Sequence, residues 1–548
     1  MNPDSKDITD SDGSRPAAIP FKRIVLCVAI IIFFTTAIRL PLLNIPFERD
    51  EGAYAYIAWR LGHNELPYRD WVDQKPPGVY WVYRAALSLP LEPVHAVHFM
   101  GLLFSAASAC ALFFLTRRFL SVPLACGAAV LFALLSADPW VEGTAANTEL
   151  FMLLPLILSQ LVFLSAIPAG RLQIPLMVLC GVLIGVAVGF KQVAAVNWFF
   201  LIAMFPVFAP AGNRLRGTLV FAVSSALGAA WVWSFLLVYF HFQHGLEDFI
   251  YNVFTHNLSY IQTEPWAKRW RLCRHTLMHL AHTQALVWVF VTAGLVALGV
   301  AGRRKWLFFL AGWLLTSFIG VSASGFFFPH YFQQELPALS LAAMAGAGAL
   351  FSARFWTTRL AAPARMALLG VGLIILPAVV IYPFVFTYSP AEKVRKIYPG
   401  NSFAEMPELG RQLARLTRPT DRVYIFGAEP EVLFYARRVS ATRYIFLIPL
   451  YGPYPDARIR QMLTAGEIAD ANPAAAVYLP NDLFFVPGAE QYLTQWSRAY
   501  FQKKFQPKFY LTVDPSGVKR VISCDDRKAL SNPPGQREAG MLAVRKGP

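Results

Sequence analysis

Of the 548 residues, 56% are hydrophobic and only 15% are charged, and the mean hydropathy is +0.44. That balance excludes an ordinary soluble globular protein of this size and indicates an integral membrane protein. The formal charge of +16 is not gathered into one basic block with interleaved aromatics, so no nucleic-acid partner is expected.

Residues 1–22 are polar, rich in Asp and Ser, and expected to form a disordered tail. The apolar run 24–43 is too long for a signal-peptide core and lacks a small-residue cleavage site, so it is a first transmembrane helix. Further spans are expected near 96–115, 122–139, 150–167, 174–190, 193–209, 217–240, 283–301, 306–322, 331–350 and 366–386, about eleven in all. Basic residues collect in alternate short loops: Lys22-Arg23, Arg117-Arg118, Arg171, Arg214 with Arg216, Arg303-Arg304-Lys305, and Arg354, Arg359 with Arg365. The positive-inside preference makes that side cytoplasmic. An odd number of spans then places the loop 44–95, the loop 241–282 and residues 389–548 on the opposite face, periplasmic in a bacterium or lumenal in a eukaryote; the transmembrane domain over 23–388 is expected in a bacterial inner (plasma) membrane.

The segment 389–548 alternates β-rich runs (423–426, 444–447, 475–479, 509–513, 518–523) with helical stretches (408–416, 431–437, 458–471), which predicts a small α/β domain. No Gly-rich phosphate loop precedes a helix there, so no nucleotide-binding module is expected. The six cysteines show neither metal-ligand spacing nor a disulfide framework.

The first outer loop concentrates the chemistry, reading ERDEGAYAYIAWRLGHNELPYRDWVDQKPPG over 48–78. Asp50 and Glu51 follow the first span so closely that they lie near the headgroup layer. They suit the positive end of a helix dipole, so they either cap a helix or act on a substrate. Tyr54, Ile57 and Leu61 recur at helical spacing, which predicts a short interfacial helix with Arg60 turned toward water or phosphate. Pro76 and Pro77 stiffen the backbone at Lys75, whose ammonium makes a loop salt bridge, neutralises Asp50 or holds a phosphate. Arg69 is a second cation of this half.

Four later places carry polar groups at span ends. The turn 138–149 ends at Glu149, which leads into an apolar run and needs a cation or a ligand. Residues 174–208 are too long for one crossing, so the chain must turn at 189–192, leaving Lys191 at the membrane boundary without an acid nearby in sequence. A lipid phosphate or simple snorkelling would satisfy it. In the second long loop, Arg269 and Arg271 lie in a basic cluster suited to a lipid-carrier phosphate or to anionic lipid. His275, His279 and His282 share one helical face there, a spacing open to a metal or to stacking against headgroups. His330 and Tyr331 lie in an aromatic turn that hydrogen-bonds phosphate or sugar, or forms part of an aromatic belt.

Asp50-Glu51 just after the first span, together with the Lys75-Pro76-Pro77 motif and these outer turns, resembles the polyprenyl-phosphate-dependent glycosyltransferases of the GT-C fold. The nearer relatives are the aminoarabinose transferases of lipid A, the protein O-mannosyltransferases and other bacterial family 39 enzymes. The resemblance implies an α-helical polytopic membrane fold of the GT-C kind. It also implies a polyprenyl-phosphate sugar donor, a glycan, lipid or protein acceptor, and Asp50 as the residue acting on the acceptor with Glu51 in support. It implies a second polar loop facing the site, which adds Asn147 to Glu149, and a His-Tyr-rich turn at His330 and Tyr331. Lys75, Lys191, Arg269, Arg271 and His330 are expected to hold phosphate. The chain departs from its close relatives at Gln74, where they carry the Glu that would serve a metal. No nucleotide sugar is required, no cofactor is assigned, and a divalent ion is left open. The rival class is a lipid or polysaccharide transporter, which places ionisable residues in mid-span rather than at span ends on one face.

Overall fold

Long apolar runs leave backbone N–H and C=O groups no water to bond, so they satisfy them internally as helices. The structure, a computed structural model, describes residues 20–547 except 169, 211, 213, 262–264, 354–356, 358–360, 453, 455, 481–488 and 530–536. Most of the expected tail 1–22 thus lies outside the described residues, as do Arg354 and Arg359; by Phe21 the chain is already helical. Among the described residues eight helices are long and apolar enough to cross a membrane: Phe21–Leu42, Pro93–Thr116, Thr148–Ala166, Arg214–Phe242, Trp266–Val300, Arg304–Ser322, Pro329–Ser352 and Ala362–Thr387. Shorter apolar helices, Val122–Leu135, Gln173–Val188 and Gln192–Phe208, fill the other predicted spans. Exposed Phe33, Leu219, Trp231 and Phe235 give the helices an apolar outer surface, as lipid requires. The chain is an integral membrane protein.

The chain divides into two compact units. The first comprises 20–43, 98–238 and 266–387 of the described residues. Small residues bring its helices together, since without a hydrophobic drive in lipid the backbones must approach closely to gain dispersion and packing. A Cβ at Gly346 would fall 2.0 Å from the Phe290 carbonyl oxygen, and one at Gly294 would fall 2.2 Å from that of Ala342. Gly181 and Gly228 join Gln173–Val188 to Arg214–Phe242 in the same way. The buried Arg39 closes the turn 136–143 of this unit: its guanidinium donates to the Ser136 carbonyl at 2.6 Å and to that of Gly143 at 3.2 Å.

The second unit comprises 44–97, 239–265 and 388–547. Its six strands are β1 Arg422–Phe426, β2 Val439–Ser440, β3 Ala475–Tyr478, β4 Phe505–Val513, β5 Lys519–Ser523 and β6 Arg537–Arg545. They form one sheet in the order β2-β1-β3-β6-β4-β5, parallel among the first three and antiparallel from β3 onward. The α/β pattern is thus present, with two corrections. Residues 444–447 form no strand; 445–447 are bends leading into the 3-10 turn Ile448–Leu450, where Pro449 offers no N–H to a ladder. The antiparallel strand beside β3 is instead β6, whose Glu, Ala and Gly give no strand signal and which is formed by its neighbours.

Helix Arg49–Leu61 of the first loop packs on helix Glu431–Ala436, and Gly52 is the point of contact: a Cβ there would stand 2.4 Å from Glu431 Cβ. Arg49 donates to the Ala428 carbonyl at 2.7 Å and pairs with the buried Glu429 at 2.8 Å. The Tyr435 hydroxyl accepts from Phe47 N at 2.9 Å, and the Tyr56 hydroxyl accepts from Ser440 N at 3.0 Å. This helix is therefore buried in protein rather than laid on an interface. Arg60, predicted to face water or phosphate, is buried and pairs with Glu65.

Gly346→Val is expected to lower the thermal unfolding temperature in detergent, by a loss of about 1–3 kcal/mol from overpacking against a backbone that cannot yield. Gly370→Ala, with nothing within 4 Å of the added carbon, serves as the control and should leave it unchanged.

Candidate functional site

The start of helix Arg49–Leu61 decides what each acid of the first loop does. Glu48 is the N-cap: its carboxylate accepts from Asp50 N and Glu51 N, each at 3.0 Å, while Glu51 Oε2 accepts from Glu48 N at 3.3 Å. This reciprocal capping box occupies Glu51, which is buried. Asp50 lies one residue earlier and points elsewhere. Its Oδ2 accepts from Lys75 Nζ at 3.1 Å and from the Tyr54 hydroxyl at 3.3 Å, and its side chain is 32% exposed.

Lys75 is held from behind. Its carbonyl accepts from the Tyr68 hydroxyl at 2.6 Å and the Tyr80 hydroxyl at 3.4 Å, and the Gln74 carbonyl accepts from Asn257 Nδ2 at 2.9 Å. Tyr68 is fully buried and sits at φ 73, a left-handed conformation that a bulky residue adopts only where its surroundings impose it. Asp73, missed from sequence, completes the group by accepting from the Tyr80 hydroxyl at 2.8 Å and from Gln74 N at 2.6 Å. Burial pushes the Asp73 carboxyl up to about 6, with Lys75 opposing the shift and Asp50 adding to it. Arg69 belongs to this unit without joining the group: it pairs with Asp70 at 2.7 Å and donates to the Gln243 carbonyl at 2.7 Å.

A second group lies in the first unit. Lys191, at the predicted turn between Gln173–Val188 and Gln192–Phe208, donates to Glu149. The lysine read as lacking an acid thus has one, 42 residues away in sequence. Its Nζ also stands 3.6 Å from the centroid of the Tyr331 ring, a cation–π contact. His330 Nδ1 lies 2.6 Å from Glu142 Oε2, and its Nε2 lies 4.0 Å from Glu149 Oε1. Glu142 was not a sequence candidate; only its place in the turn 138–149 hinted at it. Thr148 donates to Glu149 at 2.8 Å, and the buried Asn147 is the N-cap of Thr148–Ala166, although its side chain makes no capping bond.

The turn that carries Glu142 is fixed at both ends. Asp138 accepts from Trp140 N at 2.9 Å and from Thr283, and burial raises its carboxyl to about 7. Gly143 could carry no side chain, because a Cβ would lie 2.4 Å from the Ser136 carbonyl oxygen. Of the basic cluster, Arg269 lies over the Trp266 ring at 5.3 Å and against the turn at Gly325, while Arg271 is exposed on the same helix. His279 and His282 flank the Trp140 ring, with centroids at 4.4 and 5.0 Å.

The donor set of the first loop does not fit a divalent ion. Lys75 Nζ donates to Asp50 Oδ2, position 74 offers an amide instead of a carboxylate, and no group of three His, Cys, Asp or Glu with ion-holding geometry occurs among the described residues.

No family model matches the sequence, and no curated protein matches it. Solved structures do. ArnT from Cupriavidus metallidurans bound to undecaprenyl phosphate aligns at 16% identity with a TM-score of 0.58, over 97% of this chain and 100% of that one. The archaeal oligosaccharyltransferase AglB from Archaeoglobus fulgidus, in complex with an inhibitory peptide and a dolichol-phosphate, aligns at 14% identity with a TM-score of 0.55, over 96% of this chain and 77% of that one. The chain has the GT-C fold. At these identities the likeness is one of fold, and the roles of individual side chains rest on the geometry above.

Asp73 gives a pH dependence of known sign. Its folded value is raised above the ordinary 3.8, so its contribution to stability is fully present below about 4 and is lost as pH rises through about 6. Asp73→Asn removes this term. The difference in unfolding temperature, wild type minus variant, should fall between pH 4 and pH 7, by the equivalent of about 3 kcal/mol at most. A difference that stays flat across that range would contradict the assignment.

Proposed function

We propose that the chain is a membrane glycosyltransferase that moves a sugar from a polyprenyl-phosphate donor to a hydroxyl of a glycan, lipid or protein on the extracytoplasmic face. The observation that carries this reading is Asp50: a partly exposed carboxylate at a helix start, held by a cation and a phenol, in a GT-C fold. Two solved neighbours support it, one bound to undecaprenyl phosphate and the other to a dolichol-phosphate.

The reaction needs a base for the acceptor hydroxyl and positive charge for the departing phosphate. The acceptor oxygen bonds to the anomeric carbon and its proton passes to Asp50. The bond from that carbon to the phosphate oxygen breaks, and polyprenyl phosphate leaves with the electron pair. Glu51 supports Asp50 by fixing the helix start, and Lys75 orients its carboxylate. Arg69, Asn147, Glu149, Lys191, Arg269, Arg271, His330 and Tyr331 are assigned to substrate binding. Lys191 can serve a phosphate while paired to Glu149, since an ammonium carries three donors.

Asp50→Asn keeps the side-chain shape and removes the base. Purified variant supplied with a polyprenyl-phosphate sugar and an acceptor is expected to transfer about a hundredfold more slowly or worse. A correctly inserted Asp50→Asn protein working at the wild-type rate would falsify the assignment. Vesicles in which the wild type translocates lipid-linked sugar while releasing no polyprenyl phosphate would favour a transporter.

A further inference from the structure

At the end of the first unit remote from Glu149 and Lys191, the helices enclose an apolar cavity of about 420 Å³. Its walls come from Val122–Leu135, Trp266–Val300, Leu336–Ser352 and Ala362–Gly370. Gly127, Gly294, Ala297 and Gly348 are among the small residues of its lining. The volume falls within the roughly 300–1,000 Å³ of ligand sites. Among the described residues, polar side chains line it only at Ser121, Ser352 and Arg303. Arg304 and Lys305 follow as exposed residues, and Arg365 lies 4.5 Å over the ring of Phe351, itself a lining residue. The segments that frame this end, 93–137, 265–334 and 336–391, contain no Asp or Glu.

We propose that this cavity holds one acyl chain of an anionic phospholipid, with Arg303 and its basic neighbours against the phosphate. A void beside hydrocarbon forfeits dispersion contacts until a chain fills it. A chain gains little selectivity from moving between two apolar surroundings, so the headgroup decides which lipid binds. Cations grouped at the mouth favour net negative charge and disfavour a headgroup that carries its own ammonium. Along the helix from Tyr331 to Met344 the two ends of the unit stand roughly 20 Å apart, so this site is separate from the Glu149–Lys191 group. The proposal does not depend on the transferase reading.

The test uses the full-length protein in nanodiscs doped with phosphatidylglycerol or phosphatidylcholine carrying a diazirine in one acyl chain, with cross-linked residues mapped by mass spectrometry. The phosphatidylglycerol probe is expected to label lining residues such as Met344 and Leu369. Arg303→Gln should cut that labelling about fivefold, and Ala297→Trp, which fills the cavity, should abolish it. Equal labelling by phosphatidylcholine, or labelling confined to other surfaces, overturns the proposal, and both are read on the wild type without any variant having to fold.

Discussion

A charge that leaves water needs a partner, and in a chain this apolar that requirement organises the chemistry. The two ion pairs meet it differently. Glu149 is almost completely buried, with Lys191 nearly so. Removing either partner would strand a charge, a loss of several kcal/mol in buried pairs generally. Asp50 stands partly open while Lys75 is about as covered as Lys191; at an open carboxylate a pair contributes little to stability and a ligand can still approach. The buried pair is suited to holding a shape, and the open one to exchanging a proton.

The neighbouring acids Asp50 and Glu51 show how local structure divides labour between like residues. Because Glu48 takes the N-cap, the third helical position falls on Glu51, whose carboxylate turns back to the backbone. Asp50 is thereby freed from capping and faces the side chains of Lys75 and Tyr54. Starting the helix one residue earlier would put Asp50 at that third position, so the identity of the cap controls whether Asp50 is left for the cation.

Much of the fold could be read from residue order because hydrophobic spans are local signals: every predicted apolar run is helical, and the turn at Lys191 falls where the length of 174–208 required it. What escaped were pairings set by tertiary structure. Nothing near Lys191 announces Glu149, and nothing near His330 announces Glu142, 188 residues away. The run 444–447 has strand composition but joins no strand ladder among the described residues, whereas β6 lacks that composition and lies between β3 and β4. Asp73 was passed over because its importance comes from burial beside Tyr80, which composition does not record. The proline pair after Lys75 was legible, while the tyrosines that hold its carbonyl were not.

Arg49 and Glu429 meet across 380 residues of chain, which has a consequence for biogenesis. A ribosome adding roughly 5–20 residues per second exposes the first loop some 20–80 seconds before its partner helix exists. Through that interval Gly52 and Arg49 lack the surface they pack on. The seam between the first loop and helix Glu431–Ala436 therefore forms only after that later stretch of chain has been made.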